Sequence, residues 1–344
     1  MKVSIVGATG YGGLELIRLL ENHPHFEIAS LHTSSTPGRQ IYEENPHLMH
    51  KEYTLEKINP EEIRKKSELV FLATPSGVSS ELAPVFNELG MKVIDLSGDL
   101  RLKSSEAFEK WYQHSPAPPE IIQKAVYGLS EWNAGVIRQA QIIANPGCYP
   151  TATLLGLAPL YTEKWAVGSD VIVDAKSGVS GAGKSPNATT HYSEMNENFK
   201  IYKVHQHQHI PEIEQQLTQW FEGSQPISFS THLVPITRGI MSTMYVKLRR
   251  QTSTAELVDL YKTVYEGHPF VRIQPQGNFP CTKQVYGSNF CDIGIAFDER
   301  TNKATIVSVI DNLMKGAAGQ AVQNANILFG VEETEGLSNI PVYP

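Results

Sequence analysis

The stretch Val3-Ser4-Ile5-Val6-Gly7-Ala8-Thr9-Gly10-Tyr11-Gly12-Gly13 sets a β-branched apolar strand directly against a glycine turn. Leu14, Ile17, Leu19 and Leu20 then put apolar residues on one side of a helix. Strand, glycine turn and helix in that order open a dinucleotide-binding βαβ unit. Glycines at Gly7, Gly10 and Gly13 let the backbone approach a pyrophosphate, which rests on the helix N-terminus where N–H groups lack internal partners. The spacing is G-x-x-G-x-x-G rather than the commoner G-x-G-x-x-G, so its place after the first strand carries the expectation, not the pattern alone. Thr9, Tyr11 and Gly12 complete the predicted cofactor turn.

A second strand over residues 26–31 should end beside the adenosine ribose, where an Asp or Glu would accept from the 2′-OH of NAD. Neither is present. The chain reads His32-Thr33-Ser34-Ser35-Thr36-Pro37-Gly38-Arg39, and Ser34, Ser35 and Arg39 offer hydroxyls and a guanidinium suited to a 2′-phosphate. NADP(H) is therefore the expected cofactor, with an ordinary polar loop as the alternative reading of Arg39. Residues 40–66 read as a connecting excursion of mixed charge. Further buried strands are expected at 69–73 and 92–96, giving a parallel sheet.

The other stretch that carries chemistry is Ala144-Asn145-Pro146-Gly147-Cys148-Tyr149-Pro150-Thr151. A strand over 141–144 precedes it, and Pro150 announces a helix that Pro159 ends or kinks. A thiol at that junction faces backbone N–H groups and the positive end of the helix dipole, both of which favour thiolate. The competing reading is a small buried hydrophobe. Cys148 is taken as the nucleophile because the rest of the chain supplies a cofactor loop, a histidine cluster and two arginine motifs.

At 344 residues and 41% hydrophobic, the chain can bury a sizeable core in about two domains. A net charge of −7 gives no basic field for nucleic acid or anionic lipid, while leaving room for local phosphate pockets. Three cysteines make no disulfide framework and no Cys-x-x-Cys pair, which points to a reducing compartment. No apolar leader precedes the first strand and no run of 18 apolar residues occurs, so a cytoplasmic protein is expected.

Past Cys148, a strand over 171–175 leads into Lys176-Ser177-Gly178-Val179-Ser180-Gly181-Ala182-Gly183-Lys184, a small-residue loop. The run His205-Gln206-His207-Gln208-His209-Ile210-Pro211-Glu212 puts three histidines on one face if it is extended. No metal is predicted there, since no carboxylate or cysteine stands at ligand spacing. Pro211 is expected to start a helix carrying Ile213, Leu217 and Trp220. Strands near 227–235, 242–248, 271–274, 292–298 and 305–310, with amphipathic helices, predict an α+β domain on an antiparallel or mixed sheet. A last helix is expected from Asn312 to Phe329.

The segment 143–159 resembles the active-site signature of the N-acetyl-gamma-glutamyl-phosphate reductases, relatives of aspartate-semialdehyde dehydrogenase. Ser97-Gly98-Asp99-Leu100-Arg101-Leu102, the loop at 176–184, the histidine run and Asp311-Asn312-Leu313-Met314-Lys315-Gly316-Ala317-Ala318-Gly319 extend the resemblance over nearly the whole chain. It implies an α/β fold: an N-terminal Rossmann-type domain over 1–147, rejoined by a C-terminal helix 312–344. A catalytic and dimerisation domain over 148–311, of the aspartate-semialdehyde/glyceraldehyde-3-phosphate dehydrogenase type, completes it.

The implied reaction is reduction of an acyl phosphate through a cysteine thioester, with inorganic phosphate released. Arg101 then faces the substrate phosphate; the spacing alone leaves open a surface pair with Asp99 or Glu106. Ser180, Gly181 and Asn312 lie beside the nicotinamide. The family pattern His-Arg-His-x-Pro-Glu falls on His207, His209 and Glu212, with Gln208 where arginine is usual. His209 is the expected acid/base, oriented by Glu212, and His207 lines the substrate pocket. Arg238 is the candidate for the substrate α-carboxylate, supported by Lys283.

Three readings compete. The first is the NADPH-dependent reductase of arginine biosynthesis, acting as a homodimer or homotetramer. The second is a paralogue of the same chemistry, either aspartate-semialdehyde dehydrogenase or a reductase of carrier-linked aminoadipyl phosphate. Pro-Gly-Cys-Tyr argues against the aspartate enzyme, whose motif reads Asn-Cys-Ser/Thr. The third is a non-catalytic dinucleotide sensor using Cys148 as a redox switch.

Overall fold

The computed structural model describes residues 1–166 and 171–344, and 167–170 only as part of a strand. The chain divides into two compact units, Met1–Pro146 with Ala317–Ser338, and Gly147–Gly316 with Asn339–Pro344.

The first unit holds a seven-stranded sheet: β1 (Lys2–Val6), β2 (Glu27–His32), β3 (Leu55–Glu56), β4 (Leu69–Leu72), β5 (Lys92–Asp95), β6 (Ala125–Tyr127) and β7 (Ile142–Ala144). Their order is β3-β2-β1-β4-β5-β7-β6, with every pairing parallel. Parallel strands are covered on both faces, which is why β4 reads Leu-Val-Phe-Leu without polar alternation and is buried throughout. Val6, Leu72, Val93 and Ile142 meet Phe86, Leu100 and Ile121 in one core. The order reverses between β1 and β4, the topological switch point where such sheets bind ligands. The excursion at 40–66 contributes β3 and a helix Pro60–Lys66, capped by the Asn59 side chain.

Gly7 follows β1 with φ +87°, and a Cβ there would lie 2.3 Å from the Ala73 carbonyl oxygen, so only glycine fits. Helix α1 (Tyr11–Leu20) starts on Gly10 with no side-chain cap and buries Leu16, Ile17, Leu19 and Leu20.

The expected helix 312–344 is shorter than predicted. A π-helical turn, Met314–Ala318, precedes a fully buried helix Gly319–Leu328. Gly330 at φ +68° and Gly336 at φ +71° then leave helical geometry, and residues 339–344 carry two prolines and no helix.

The second unit holds β8 (Ala166–Gly178), β9 (Lys200–Tyr202), β10 (Ser228–Val234), β11 (Ile240–Leu248), β12 (Val271–Ile273), β13 (Cys291–Asp298) and β14 (Lys303–Ile310). The sheet is mixed, ordered β12-β13-β14-β11-β8-β10-β9, with β8/β10 and β12/β13 parallel and the other pairs antiparallel.

Helix α2 (Cys148–Thr162) is apolar on every side and almost wholly buried against this sheet, so its helicity needs no amphipathic stripe. Pro159 lies inside it rather than ending it. Proline lacks the N–H that would reach the Leu155 carbonyl, and Tyr265 Oη donates to that oxygen instead, at 2.5 Å. Tyr261 Oη likewise donates to Gly156 O at 2.6 Å. Helix α3 (His209–Trp220) buries Ile213 and Leu217, with Trp220 only partly covered. Among the described residues no helix is long and apolar enough to cross a membrane.

Candidate active site

Cys148 is the first residue of α2, two residues earlier than Pro150 suggested, and its thiol is half-buried. The N-cap Gly147 has no side chain to close the turn. Its N–H donates instead, at 2.8 Å, to Oε1 of Glu212, a fully buried carboxyl on α3. Thr151 Oγ1 donates back to Gly147 O at 2.9 Å. The Cys148 turn is thus held from a neighbouring helix and from its own. On its other side stands Gly316, where a Cβ would come within 2.8 Å of Cys148 Cβ. Only a glycine permits that approach.

His207 and His209 lie together, with ring centroids 4.7 Å apart and both buried. The His209 backbone N–H donates to His207 Nδ1 at 3.1 Å, so Nδ1 is an acceptor and the ring proton sits on Nε2. Burial, with a smaller push from Lys203, drives the His207 pKa down to about 3. His207 is a neutral imidazole at physiological pH. The Tyr149 ring lies 5.4 Å from His207 and 6.0 Å from His209, and Tyr202 lies 5.8 Å from His207. The two tyrosine hydroxyls are 3.1 Å apart, and burial pushes Tyr202 up to about 12.

The one-face reading of three histidines is corrected. His205 is exposed with φ +56°, and Lys203 also takes a left-handed conformation, so the chain turns rather than extends. His209 then begins α3, two residues before Pro211.

A second set of predicted residues gathers around Asn312. Its Oδ1 accepts the Gly239 N–H at 2.7 Å and its Nδ2 donates to the buried Ser180 Oγ at 2.9 Å. The backbone N–H groups of Gly178, Val179 and Ser180 donate to Gly239, Ile236 and Thr237 oxygens, so the small-residue loop is strapped to the loop carrying Arg238. A Cβ on Gly181 would lie 2.8 Å from Ser177 Oγ. Arg238 pairs with Asp311, Nη1 to Oδ2 at 3.6 Å, and its guanidinium lies 5.8 Å from the Tyr286 ring. The Gly316 N–H donates to Asp311 O at 3.0 Å, linking this set to the residue against Cys148.

In the first unit, the cofactor turn has the form a pyrophosphate needs. A Cβ at Gly13 would lie 2.3 Å from Gly7 O, and the uncapped start of α1 presents backbone N–H groups. At the end of β2, Thr33 Oγ1 and Ser35 Oγ are 3.1 Å apart. Ser34, Ser35 and Arg39 are exposed, and Arg39 Nη1 meets Glu44 Oε1 at 3.3 Å. No acid replaces them at the strand end. These residues fit a 2′-phosphorylated dinucleotide.

Arg101 is buried rather than paired on the surface. Its Nε donates to Asn145 O at 2.8 Å and its Nη2 to Leu96 O at 3.0 Å. Asp99 instead accepts from Ser76 Oγ and from the Gly77 and Ser80 N–H groups, capping the helix Val78–Glu88.

Sequence reasoning missed Tyr202 and Asn145. Asn145 Oδ1 accepts from Asn324 Nδ2 at 3.0 Å, and its own Nδ2 donates to Ala317 O at 3.0 Å. Nothing in a linear sequence pairs residues so far apart. Tyr149, next to Cys148, was within reach of the motif reading.

Two family models match the chain: the semialdehyde dehydrogenase NAD binding domain over residues 2–140, and the semialdehyde dehydrogenase dimerisation domain over 148–312. The N-acetyl-gamma-glutamyl-phosphate reductase of Bacillus cereus (strain B4264) is 58% identical over 344 residues, covering all of both chains. That of Geobacillus kaustophilus (strain HTA426) is 57% identical over 345 residues with the same full coverage. Among solved structures, aspartate semialdehyde dehydrogenase II of Vibrio cholerae, complexed with ASA, superposes with a TM-score of 0.73 at 20% identity. That match covers 96% of this chain and 98% of the other. Aspartate semialdehyde dehydrogenase with NADP from Candida albicans gives 0.69 at 18% identity, over 95% and 98%. The glycine turn, the half-buried thiol at a helix start and full-length identity of this degree place the chain in the N-acetyl-gamma-glutamyl-phosphate reductase family of the semialdehyde dehydrogenases.

Proposed function

We propose that the chain reduces N-acetyl-L-glutamyl 5-phosphate to N-acetyl-L-glutamate 5-semialdehyde and phosphate with NADPH, in arginine biosynthesis. The observation that carries this reading is Cys148, a half-buried thiol at the first position of a 15-residue helix. A helix start favours negative charge on sulfur and on an oxygen developing beside it.

In this reading the Cys148 sulfur attacks the acyl carbon, and the C–O bond to phosphate breaks to leave a thioester. Bound NADPH supplies hydride to that carbon. His209 gives and takes the proton as the hemithioacetal forms and collapses to aldehyde and thiol. Glu212 fixes the turn that carries the sulfur. His207, neutral and packed on Tyr149 and Tyr202, shapes the substrate pocket. Arg238 takes the α-carboxylate with its bidentate fork, and Arg101 serves the phosphate. Gly7, Gly10 and Gly13 carry the pyrophosphate, Ser34, Ser35 and Arg39 the 2′-phosphate, and Ser180, Gly181 and Asn312 border the nicotinamide. The matched dimerisation domain supports an oligomer, which we read as a homodimer or homotetramer in the cytoplasm.

The test is phosphate-dependent reduction of NADP by N-acetyl-L-glutamate 5-semialdehyde, run with wild type and Cys148→Ser. Turnover should vanish in the variant while NADP affinity stays nearly unchanged, because serine is almost isosteric but far less nucleophilic. Turnover with aspartate semialdehyde in place of the glutamate compound would point to the paralogue instead.

A further inference from the structure

Asp311 is fully buried and belongs to none of the roles above, yet it touches the one guanidinium assigned to the substrate carboxylate. Its two oxygens are both pinned. Oδ1 accepts the N–H groups of Leu313 at 2.8 Å and Met314 at 3.1 Å, and Oδ2 accepts that of Gly287 at 2.7 Å. Three backbone donors from two segments leave the carboxyl no freedom to rotate. Arg238 Nη1 lies 3.6 Å from Oδ2, and its guanidinium carbon lies over the Tyr286 ring, 5.8 Å from the centroid. Tyr286 in turn is held by its own carbonyl, which accepts the Val342 N–H at 2.9 Å from the C-terminal segment. The arginine side chain keeps 21% of its surface exposed.

We propose that Asp311 is a positioning residue for substrate recognition: it holds the Arg238 fork in the orientation that meets the α-carboxylate. The physical ground is preorganisation. An arginine side chain carries much rotamer freedom, and a fixed buried anion removes that freedom before substrate arrives, so less is lost on binding. Burial pushes the Asp311 carboxyl above its ordinary range, against the three N–H groups and Arg238, which favour the carboxylate. The proposal rests on Arg238 being the α-carboxylate ligand.

The experiment compares wild type, Asp311→Asn and Arg238→Met with two substrates in the phosphate-dependent oxidative direction. The substrates are N-acetyl-L-glutamate 5-semialdehyde and its neutral α-carboxamide analogue. Asparagine keeps an oxygen for Leu313 and Met314, and Arg238 reaches solvent, so no charge is stranded in the interior.

Asp311→Asn should raise KM for the carboxylate substrate about tenfold, with kcat and the NADP KM within about threefold of wild type. For the carboxamide, wild type and variant should agree within about threefold, because the guanidinium has no anion to meet. Parallel losses on both substrates would show a merely structural role and overturn the proposal. If Arg238→Met leaves the carboxylate KM unchanged, the reading of Arg238 fails. If Arg238→Met raises it and Asp311→Asn does not, only the positioning role of Asp311 falls. Should Asp311→Asn not fold, Asp311→Glu displaces the same charge by one methylene, and the same substrate-selective rise in KM is required of it.

Discussion

Glu212 on α3 accepts the backbone N–H of Gly147, the residue immediately before Cys148, at 2.8 Å. The contact joins a carboxyl and a backbone turn 65 residues apart in sequence, and it explains how an N-cap with no side chain is satisfied in a buried setting.

Replacing Glu212 separates its two contributions. Glu212→Ala leaves a buried N–H without a partner and should cost about 1–3 kcal/mol of stability. Glu212→Gln keeps an acceptor oxygen and should recover most of that loss, while kcat remains at least about tenfold below wild type because the charge is gone. Urea unfolding and steady-state kinetics on both variants decide it. Equal stability loss in the two would mean that the Gly147 contact is not the source.

The two buried histidines should give opposite kinetic phenotypes. His209→Asn is expected to lower kcat by about 10²–10⁴-fold with little change in the substrate KM. His207→Asn should weaken substrate binding with kcat comparatively preserved, since that ring is neutral and packed on Tyr149 and Tyr202. Both are measured from pH 6 to 9, and an exchange of the two patterns would reverse the assigned roles.

Arg39→Ala tests the cofactor preference. The side chain is exposed and pairs with Glu44, so its removal should leave stability within about 0.5 kcal/mol. The KM for NADPH should rise and that for NADH should not. An unchanged NADPH KM removes Arg39 from the site.

His207 also predicts how stability responds to acid. Its folded pKa, about 3, lies below the ordinary 6.5 it regains on unfolding, so the unfolded chain binds the extra proton first. The neutral ring's contribution is complete above pH 6.5 and is lost as pH falls from 6.5 toward 3, by up to about 1.4 kcal/mol per pH unit. His23 and His32, also lowered by burial, act in the same direction. Urea midpoints at pH 7 and pH 5 should therefore converge in His207→Asn relative to wild type. An unaltered difference would place the titration elsewhere.

Some of this molecule is legible in the order of its residues alone. The first strand, the glycine turn and α1 are local, because Gly7 and Gly13 answer to atoms a few residues away or at the end of the adjoining strand. Cys148, the His207 and His209 pair, Arg238 and Asn312 could be named because each sits in a short motif. Periodicity also located most strands, since a strand's two faces differ every second residue or, in a parallel sheet, hardly at all.

What only the tertiary structure decided is which groups answer one another across the chain. Gly147 is satisfied by Glu212, Asn145 by Asn324, and the carbonyl freed by Pro159 by Tyr265. Arg101 is turned inward onto Asn145 O, and His205 is turned away from its two neighbours by left-handed backbone at residues 203 and 205. Each is the settlement of a buried polar group or a chain reversal, and those depend on which surfaces are brought together in three dimensions, information that a linear pattern of residue types does not carry.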